Sequence, residues 1–246
     1  SSAASDVYKR QVWDDITTNG LHFKKYRLHT KIVLVTTAFL LLSGTLLFYI
    51  IEYNNTMKGM NVGERILASL FSATTARTAG FNSVDTGSLT SASKLLTCVL
   101  MFIGGSPGST AGGIKTTTIF ILVVSLWSGI TDRHKTAVFK RRFEDDAIKK
   151  ASTVFTLNMF LAIFALFTIL AITDLSLSDV MFEVFSAIGT VGMTTGITRD
   201  LSSAARIIIM VLMFCGRVGS LSFALTFLQG KKDPPVYYPE EEISVG

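Results

Sequence analysis

Two short stretches of the sequence carry the same chemistry. FSATTARTAGF, residues 71–81, and FSAIGTVGM, residues 185–193, both begin Phe-Ser-Ala and end in threonine, a spacer, glycine and an apolar residue, so that Thr78-Ala79-Gly80-Phe81 answers to Thr190-Val191-Gly192-Met193. Each follows a short apolar segment predicted to be a half-helix, whose C-terminal end carries the negative end of the helix dipole. Glycine permits backbone conformations that aim carbonyl oxygens at one point, and threonine adds a hydroxyl oxygen at the inner end. An array of such oxygens can replace the water shell of a cation. One copy alone reads as an ordinary turn after a buried helix. The recurrence favours an ion site built from Thr78, Ala79, Gly80, Thr190, Val191 and Gly192.

A third stretch, GGSPGSTAGG, comprises Gly104, Gly105, Ser106, Pro107, Gly108, Ser109, Thr110, Ala111, Gly112 and Gly113. Five glycines and a proline cannot sustain a regular helix, yet apolar runs (residues 95–103 and 119–130) flank the stretch on both sides. Glycine-rich loops cradle phosphates, but here Ile114 separates Gly113 from Lys115-Thr116 and no strand precedes the loop, so the nucleotide-binding pattern is broken. The stretch reads as a helix interrupted at membrane depth, which is tolerated where protein buries the backbone or water wets it.

Three cations lie close to these stretches. Arg217 falls near the middle of the last apolar run, where a charge is costly and usually functional. The carboxylates Glu52, Glu64, Asp85, Asp174, Asp179 and Glu183 all fall in the outer half or at its edges, which leaves loop carbonyls, water or further residues as its partners. Arg77 is predicted to point behind the ion site toward Glu64 or Asp85. Lys115 either enters the inner cavity, where it would tune cation occupancy, or anchors the loop at the interface.

The elements that position these residues are built for lipid. Of the 246 residues, 49% are hydrophobic and only 17% charged, against about 25% in ordinary soluble domains, and the mean hydropathy is +0.47. Cys98 and Cys215 sit inside apolar runs, and His22, His29 and His134 are scattered, which excludes a disulfide scaffold and a zinc site. The net charge of +5 is spread in short tracts between apolar segments, and a nucleic-acid binder would need a basic face instead. An apolar run over residues 32–51 is long enough to cross a bilayer. It is followed by a polar stretch, the half-length segment VGERILASLFSATT, and the broken run around residues 104–113. The order then recurs, with an apolar run over 154–172, polar TDLSLSD, short apolar VMFEVFSAIG, a glycine-threonine stretch and an apolar run over 204–228.

The predicted fold is therefore an all-α membrane protein of two membrane-pore-membrane repeats, with four spanning segments and two re-entrant pore helices. The boundaries expected are a linker at 12–31, a repeat with a broken last helix at 32–130, a loop at 131–151, a second repeat at 152–229 and a tail at 230–246. Lys24, Lys25, Arg27 and Lys31 precede the first span, seven basic residues join the repeats, and Lys231 and Lys232 follow the last, so linker, loop and tail face the cytoplasm. Residues 1–11, SSAASDVYKRQ, back-translate to a transposase sequencing adapter read in frame. They are set aside from the fold as an artefact, with the expectation that the gene is truncated at its 5′ end.

TARTAGF, GGSPGSTAGGIKTTT, GTVGMTTG, CGRVGSLSFALTF and the terminal YPEEEISVG together resemble the Trk/Ktr/HKT superfamily of potassium transporters, most closely its bacterial Ktr-type membrane subunit. The resemblance covers essentially everything after residue 11. It implies four membrane-pore-membrane units around one pore, each giving one filter glycine, so that Gly80 and Gly192 correspond to half a filter. The chain would then hold the third- and fourth-type repeats of a pseudo-fourfold channel-like transporter, with the N-terminal two repeats missing. It further implies K+ held by backbone carbonyls of the six filter residues, the 104–113 loop as an intramembrane gate, and Arg217 as the gate latch. No cofactor is expected on the chain itself; K+ is the transported ion and Na+ a candidate coupling ion. The expected partners are a second copy in a homodimer, a cytosolic nucleotide-binding regulatory subunit and the lipid of the bacterial cytoplasmic membrane. Two competing functions are a membrane subunit of an ATP-driven potassium pump, which would take its nucleotide chemistry from another chain, and an integral-membrane enzyme using the glycine-rich loop. The second lacks an acid–base pair, and the expectation is a transporter rather than an enzyme.

Overall fold

Apolar runs at helical length dictate most of the architecture. The computed structural model describes residues 11–18, 22, 25–107, 109, 111–131, 137–138, 141–142 and 145–219. The first ten residues of the adapter-like leader, Gly108 and Thr110 of the glycine-rich loop, Lys231, Lys232 and the 230–246 tail lie outside the described residues. In chain order the helices are α1 (residues 11–18), α2 (Leu28–Glu52), α3 (Val62–Thr75), α4 (Ser91–Phe102), α5 (Thr116–Ile130), α6 (Asp145–Ile172), α7 (Leu177–Ile188) and α8 (Ser203–Val218). Between α5 and α6, Ala137–Val138 and Arg141–Arg142 pair as a minimal antiparallel ribbon, β1 and β2. The chain is thus mostly helical.

Two helices, α2 and the Asp146–Ile172 part of α6, are long and apolar enough to cross a membrane. Only 22% of each apolar window is buried, and Phe39, Leu42 and Ile50 of α2 and Phe160, Phe164 and Phe167 of α6 are exposed. Helix faces this apolar would aggregate in water. The other two predicted spans differ from plain helices. One is divided between α4 and α5, with the described residues between Phe102 and Thr116 non-helical; the other is described only as α8, whose 16 residues reach about 24 Å. Helix α6 also starts at Asp145, inside the predicted 131–151 loop, and α1 lies inside the predicted linker except for Gln11, the last residue of the stretch set aside as an artefact. Once a helix is nucleated, adding polar residues in water costs little.

The helix starts follow local capping chemistry. Thr90, Ser176 and Ser202 side chains accept the backbone N–H groups of Ser93, Asp179 and Ala205 at the starts of α4, α7 and α8, and Glu64 accepts the Asn61 N–H (2.9 Å) at the start of α3. Glu52, fully buried at the end of α2, accepts from Asn55 Nδ2, Thr56 Oγ1 and the Thr90 N–H and Oγ1, which ties α2 to the start of α4. Two apolar clusters result. One joins α6, α7 and α8 through Ala165, Ile169, Val184, Ile188 and Leu212. The other joins α2, α3 and α4 through Leu40, Phe48, Ala73, Cys98 and Met101, and takes in Phe182, Val191 and Met193 from the second half of the chain. Helices α4 and α7 pack on each other and link the two clusters.

The start of α2 is capped from a distance. Asp15 of α1 is buried and accepts from the Arg27 N–H (3.0 Å) and Thr30 Oγ1 (2.7 Å), with Arg27 Nε 3.8 Å away. Burial alone would raise its carboxyl, but the hydrogen bonds from Thr30 and the Arg27 backbone, with the Arg27 charge, hold it below the ordinary range. A carboxyl lowered on folding stabilises above its unfolded pKa, and the contribution is lost as the pH falls through the lowered value. The Arg27 amide should therefore resist hydrogen exchange at neutral pH and lose that protection below about pH 4. Asp15→Asn should show the loss already at neutral pH; equal protection in both proteins would remove Asp15 from this role.

Candidate functional site

Helix α3 ends at Thr75, and the chain winds back around that residue. The Ala79 and Gly80 N–H groups both donate to the Thr75 carbonyl (3.1 and 3.3 Å). The Phe81 N–H donates to Thr75 Oγ1 (2.8 Å), and that hydroxyl donates to the Phe81 carbonyl (2.5 Å). Within this turn Thr78 (φ 76°) and Gly80 (φ 75°) adopt the left-handed region, which is rare for a β-branched residue such as threonine.

Helix α7 ends in a related way. The Gly189, Thr190 and Val191 N–H groups donate to the carbonyls of Phe185, Ala187 and Ser186 (2.9, 3.0 and 2.9 Å), and Thr190 (φ 53°) and Gly192 (φ 86°) are left-handed. Both stretches thus use their amides to close the turn. Among the described residues no N–H or O–H donates to the carbonyl oxygens of Thr78, Ala79, Gly80, Thr190, Val191 or Gly192. Both follow the C-terminal end of a helix, where the dipole favours a positive charge. The structure brings the two together, since a Cβ at Gly80 would overlap the Val191 carbonyl oxygen.

Polar ties fix the surroundings. Thr86 Oγ1 donates to the Thr194 carbonyl (2.5 Å), joining the segments that follow the two stretches. Glu183 of α7 accepts from the hydroxyls of Thr194 and Thr198. Lys94 Nζ lies 2.8 Å from Asp179 Oδ1, pinning α4 to the first turn of α7. Phe102 and Phe185 meet edge to face at 5.3 Å.

The glycine-rich loop is held at its base and along its returning arm. Ile103 and Ile114 form a parallel bridge, with the Ile114 N–H on the Phe102 carbonyl (3.0 Å) and the Thr116 N–H on the Gly105 carbonyl (3.3 Å). The Gly113 N–H donates to the Ile188 carbonyl (3.1 Å), and the Gly112 N–H donates to Thr190 Oγ1 (2.9 Å). Lys115 Nζ reaches back to the carbonyls of Ala111 (2.5 Å) and Ser109 (3.5 Å). Of its two predicted places, Lys115 takes the one on the loop.

The two arginines differ from each other. Arg77 does not engage the predicted carboxylates: Glu64 is occupied at the start of α3 and Asp85 by the Gly87 N–H. Its guanidinium donates instead to the Gly104 carbonyl at 3.5 Å, and its Nε is buried with no partner among the described residues. Local capping and turn bonds claimed the nearby acids first. Arg217 lines an open cleft of about 810 Å³ together with Thr190, Val191, Gly192, Glu183 and Phe214. It lies near enough to Lys115 for the two charges to oppose one another.

A sequence model of the TrkH family, described as a cation transport protein, matches residues 26–233. The chain is 37% identical over 226 residues to the Ktr system potassium uptake protein B of Bacillus subtilis, covering 91% of this chain and 51% of that protein. It is also 37% identical over 243 residues to the potassium/sodium uptake protein NtpJ of Enterococcus hirae, covering 96% of this chain and 53% of that one. Among solved structures, the potassium transporter TrkH from Vibrio parahaemolyticus matches 79% of this chain and 43% of its own, with a TM-score of 0.65 and 18% identity, a likeness of fold. The chain spans about half the length of the curated relatives it matches.

Proposed function

Because the chain belongs to the TrkH family of cation transport proteins, an integral-membrane family, we propose that it forms half of a potassium uptake pathway. The half consists of two membrane-pore-membrane units, α2 to α5 and α6 to α8, with α3 and α7 as pore helices. The observation that carries this reading is the pair of turns after α3 and α7, whose six carbonyl oxygens are claimed by no donor among the described residues and whose backbones abut at Gly80 and Val191. Oxygens of that kind can stand in for the water of a potassium ion. Two further units, supplied by sequence preceding this chain, would close the ring, in keeping with the half-length match to its relatives.

The 104–113 loop is the gate in this reading, with Lys115 and Arg217 setting its position from two sides. Na+ is a candidate coupling ion, since one relative is named a potassium/sodium uptake protein. The same resemblance supports a homodimer in the bacterial cytoplasmic membrane with a separate cytosolic nucleotide-binding regulatory subunit. The chain performs no covalent chemistry.

Potassium flux in proteoliposomes tests this. The complete transporter, this chain preceded by the two further units, should carry potassium. The chain alone should carry none, because its unmatched carbonyls would face lipid at a cost of several kcal/mol per group. Flux through the chain alone, or none through a complete transporter inserted in normal amount, would overturn the proposal.

A further inference from the structure

Thr190 belongs to two structures at once. Its backbone, left-handed at φ 53°, carries one of the unclaimed carbonyls after α7. Its hydroxyl oxygen accepts the Gly112 N–H of the glycine-rich loop at 2.9 Å. The fit there is tight, since a Cβ at Gly112 would lie 2.6 Å from both Oγ1 and Cγ2 of Thr190. The neighbouring Gly113 N–H holds the Ile188 carbonyl, the last of α7, at 3.1 Å. At the loop's other arm, Arg77 from the turn after α3 donates to the Gly104 carbonyl at 3.5 Å. The loop is therefore bonded at both arms to the segments that carry the carbonyl site.

From this geometry we infer that the Thr190 hydroxyl is a positioning group that couples the 104–113 loop to cation occupancy of the carbonyl site. The inference rests on the filter and gate of the proposed function. A β-branched residue keeps a left-handed backbone only where its surroundings hold it there. The docked loop is one of those surroundings, because the Gly112 N–H fixes the Thr190 side chain. When the loop leaves, Thr190 is free to relax and its carbonyl moves with it. A cation bound on that carbonyl conversely favours the backbone geometry that docks the loop. Linkage makes the effect reciprocal: whatever the loop does to cation affinity, the cation does to the loop.

The test reads loop position directly. Ser109→Cys is introduced into the loop of the complete transporter in proteoliposomes; the native Cys98 and Cys215 are buried and give little background. Modification by a membrane-impermeant thiol reagent is timed in potassium and in choline at equal ionic strength. Potassium should slow modification about fivefold, the shift that one neutral hydrogen bond can sustain. Thr190→Val keeps the side-chain shape and removes the acceptor, so modification should be fast and independent of potassium. Thr190→Ser should keep more of the potassium effect than Thr190→Val. Gly112→Ala attacks the same contact from the loop side and should also abolish the effect, which covers the case of a poorly inserted Thr190→Val. A potassium effect of parental size in Thr190→Val or Gly112→Ala overturns the inference, as does a parent without one. Deleting residues 104–113 separates this from the gate itself: if flux fails to rise on deletion, the gate reading falls; if it rises while Thr190→Val keeps the potassium effect, only the coupling falls.

Discussion

Gly80→Ala in the complete transporter should cut potassium flux by roughly five- to a hundredfold at unchanged protein amount in the membrane. Two costs act at this position. Alanine at φ 75° enters a region that L-residues avoid, and its Cβ would overlap the Val191 carbonyl oxygen, a backbone atom that cannot swing away. Backbone strain of this kind amounts to about 1–3 kcal/mol, and any relief must move either Gly80 or the Val191 carbonyl, both parts of the proposed ion site. Gly192 supplies the comparison. Its φ of 86° is equally left-handed, but a Cβ there meets nothing within 4 Å among the described residues, so against those residues only the conformational cost remains. Gly192→Ser should consequently weaken potassium-to-sodium discrimination with a smaller loss of flux than Gly80→Ala. Gly59, also left-handed and open but distant from the site, serves as the control for the φ cost alone. If Gly192→Ser proved the more damaging for flux, or Gly59→Ala matched Gly80→Ala, the close approach of the two stretches would not be what matters.

Residue types alone were enough to find these stretches, because a Thr-x-Gly sequence after a short apolar segment is a pattern within one piece of chain. The interruption at 104–113 was legible for the same reason, since no helix accommodates five glycines and a proline. The conformation of the threonines was not. Thr78 and Thr190 are left-handed against their own preference, held by bonds such as Thr75 to Phe81 and Val191 to Ser186 that only the folded turn reveals. The Arg77 expectation failed for a reason that was visible: Asn61-Val62-Gly63-Glu64 is a capping-box spacing, and Asp85-Thr86-Gly87 a turn, so both acids had local work. The contacts between the two halves of the chain left no trace in the sequence. Lys94 and Asp179 are 85 residues apart, and Gly112 and Thr190 are 78 apart. Their pairing depends on α4 packing against α7, which no local period encodes.

The proposed gate offers a second large effect, and here two cations compete. Lys115 makes charge-assisted hydrogen bonds to the Ala111 and Ser109 carbonyls, which hold the loop in the position observed. Bonds to a charged group are worth about 1.5–3 kcal/mol, so Lys115→Met should shift the loop toward its displaced state and raise flux roughly ten- to a hundredfold. Removing a positive charge near the path would also raise potassium entry without moving the loop. The two explanations part in a transporter lacking residues 104–113, where the latch effect must vanish and an electrostatic effect must persist. Arg217 poses the sharper question, because it lines the same cleft as Thr190 and Gly192 and opposes the charge of Lys115. If that repulsion dominated, Arg217→Ala would let Lys115 grip the loop harder and flux would fall. If Arg217 stabilises the docked loop, as proposed, flux should rise about tenfold for about 1.4 kcal/mol of lost preference, and the rise should disappear once the loop is deleted. A fall in flux at normal protein amount, or a rise that survives deletion of the loop, would make Arg217 a charge acting on Lys115 or on the ion rather than a latch.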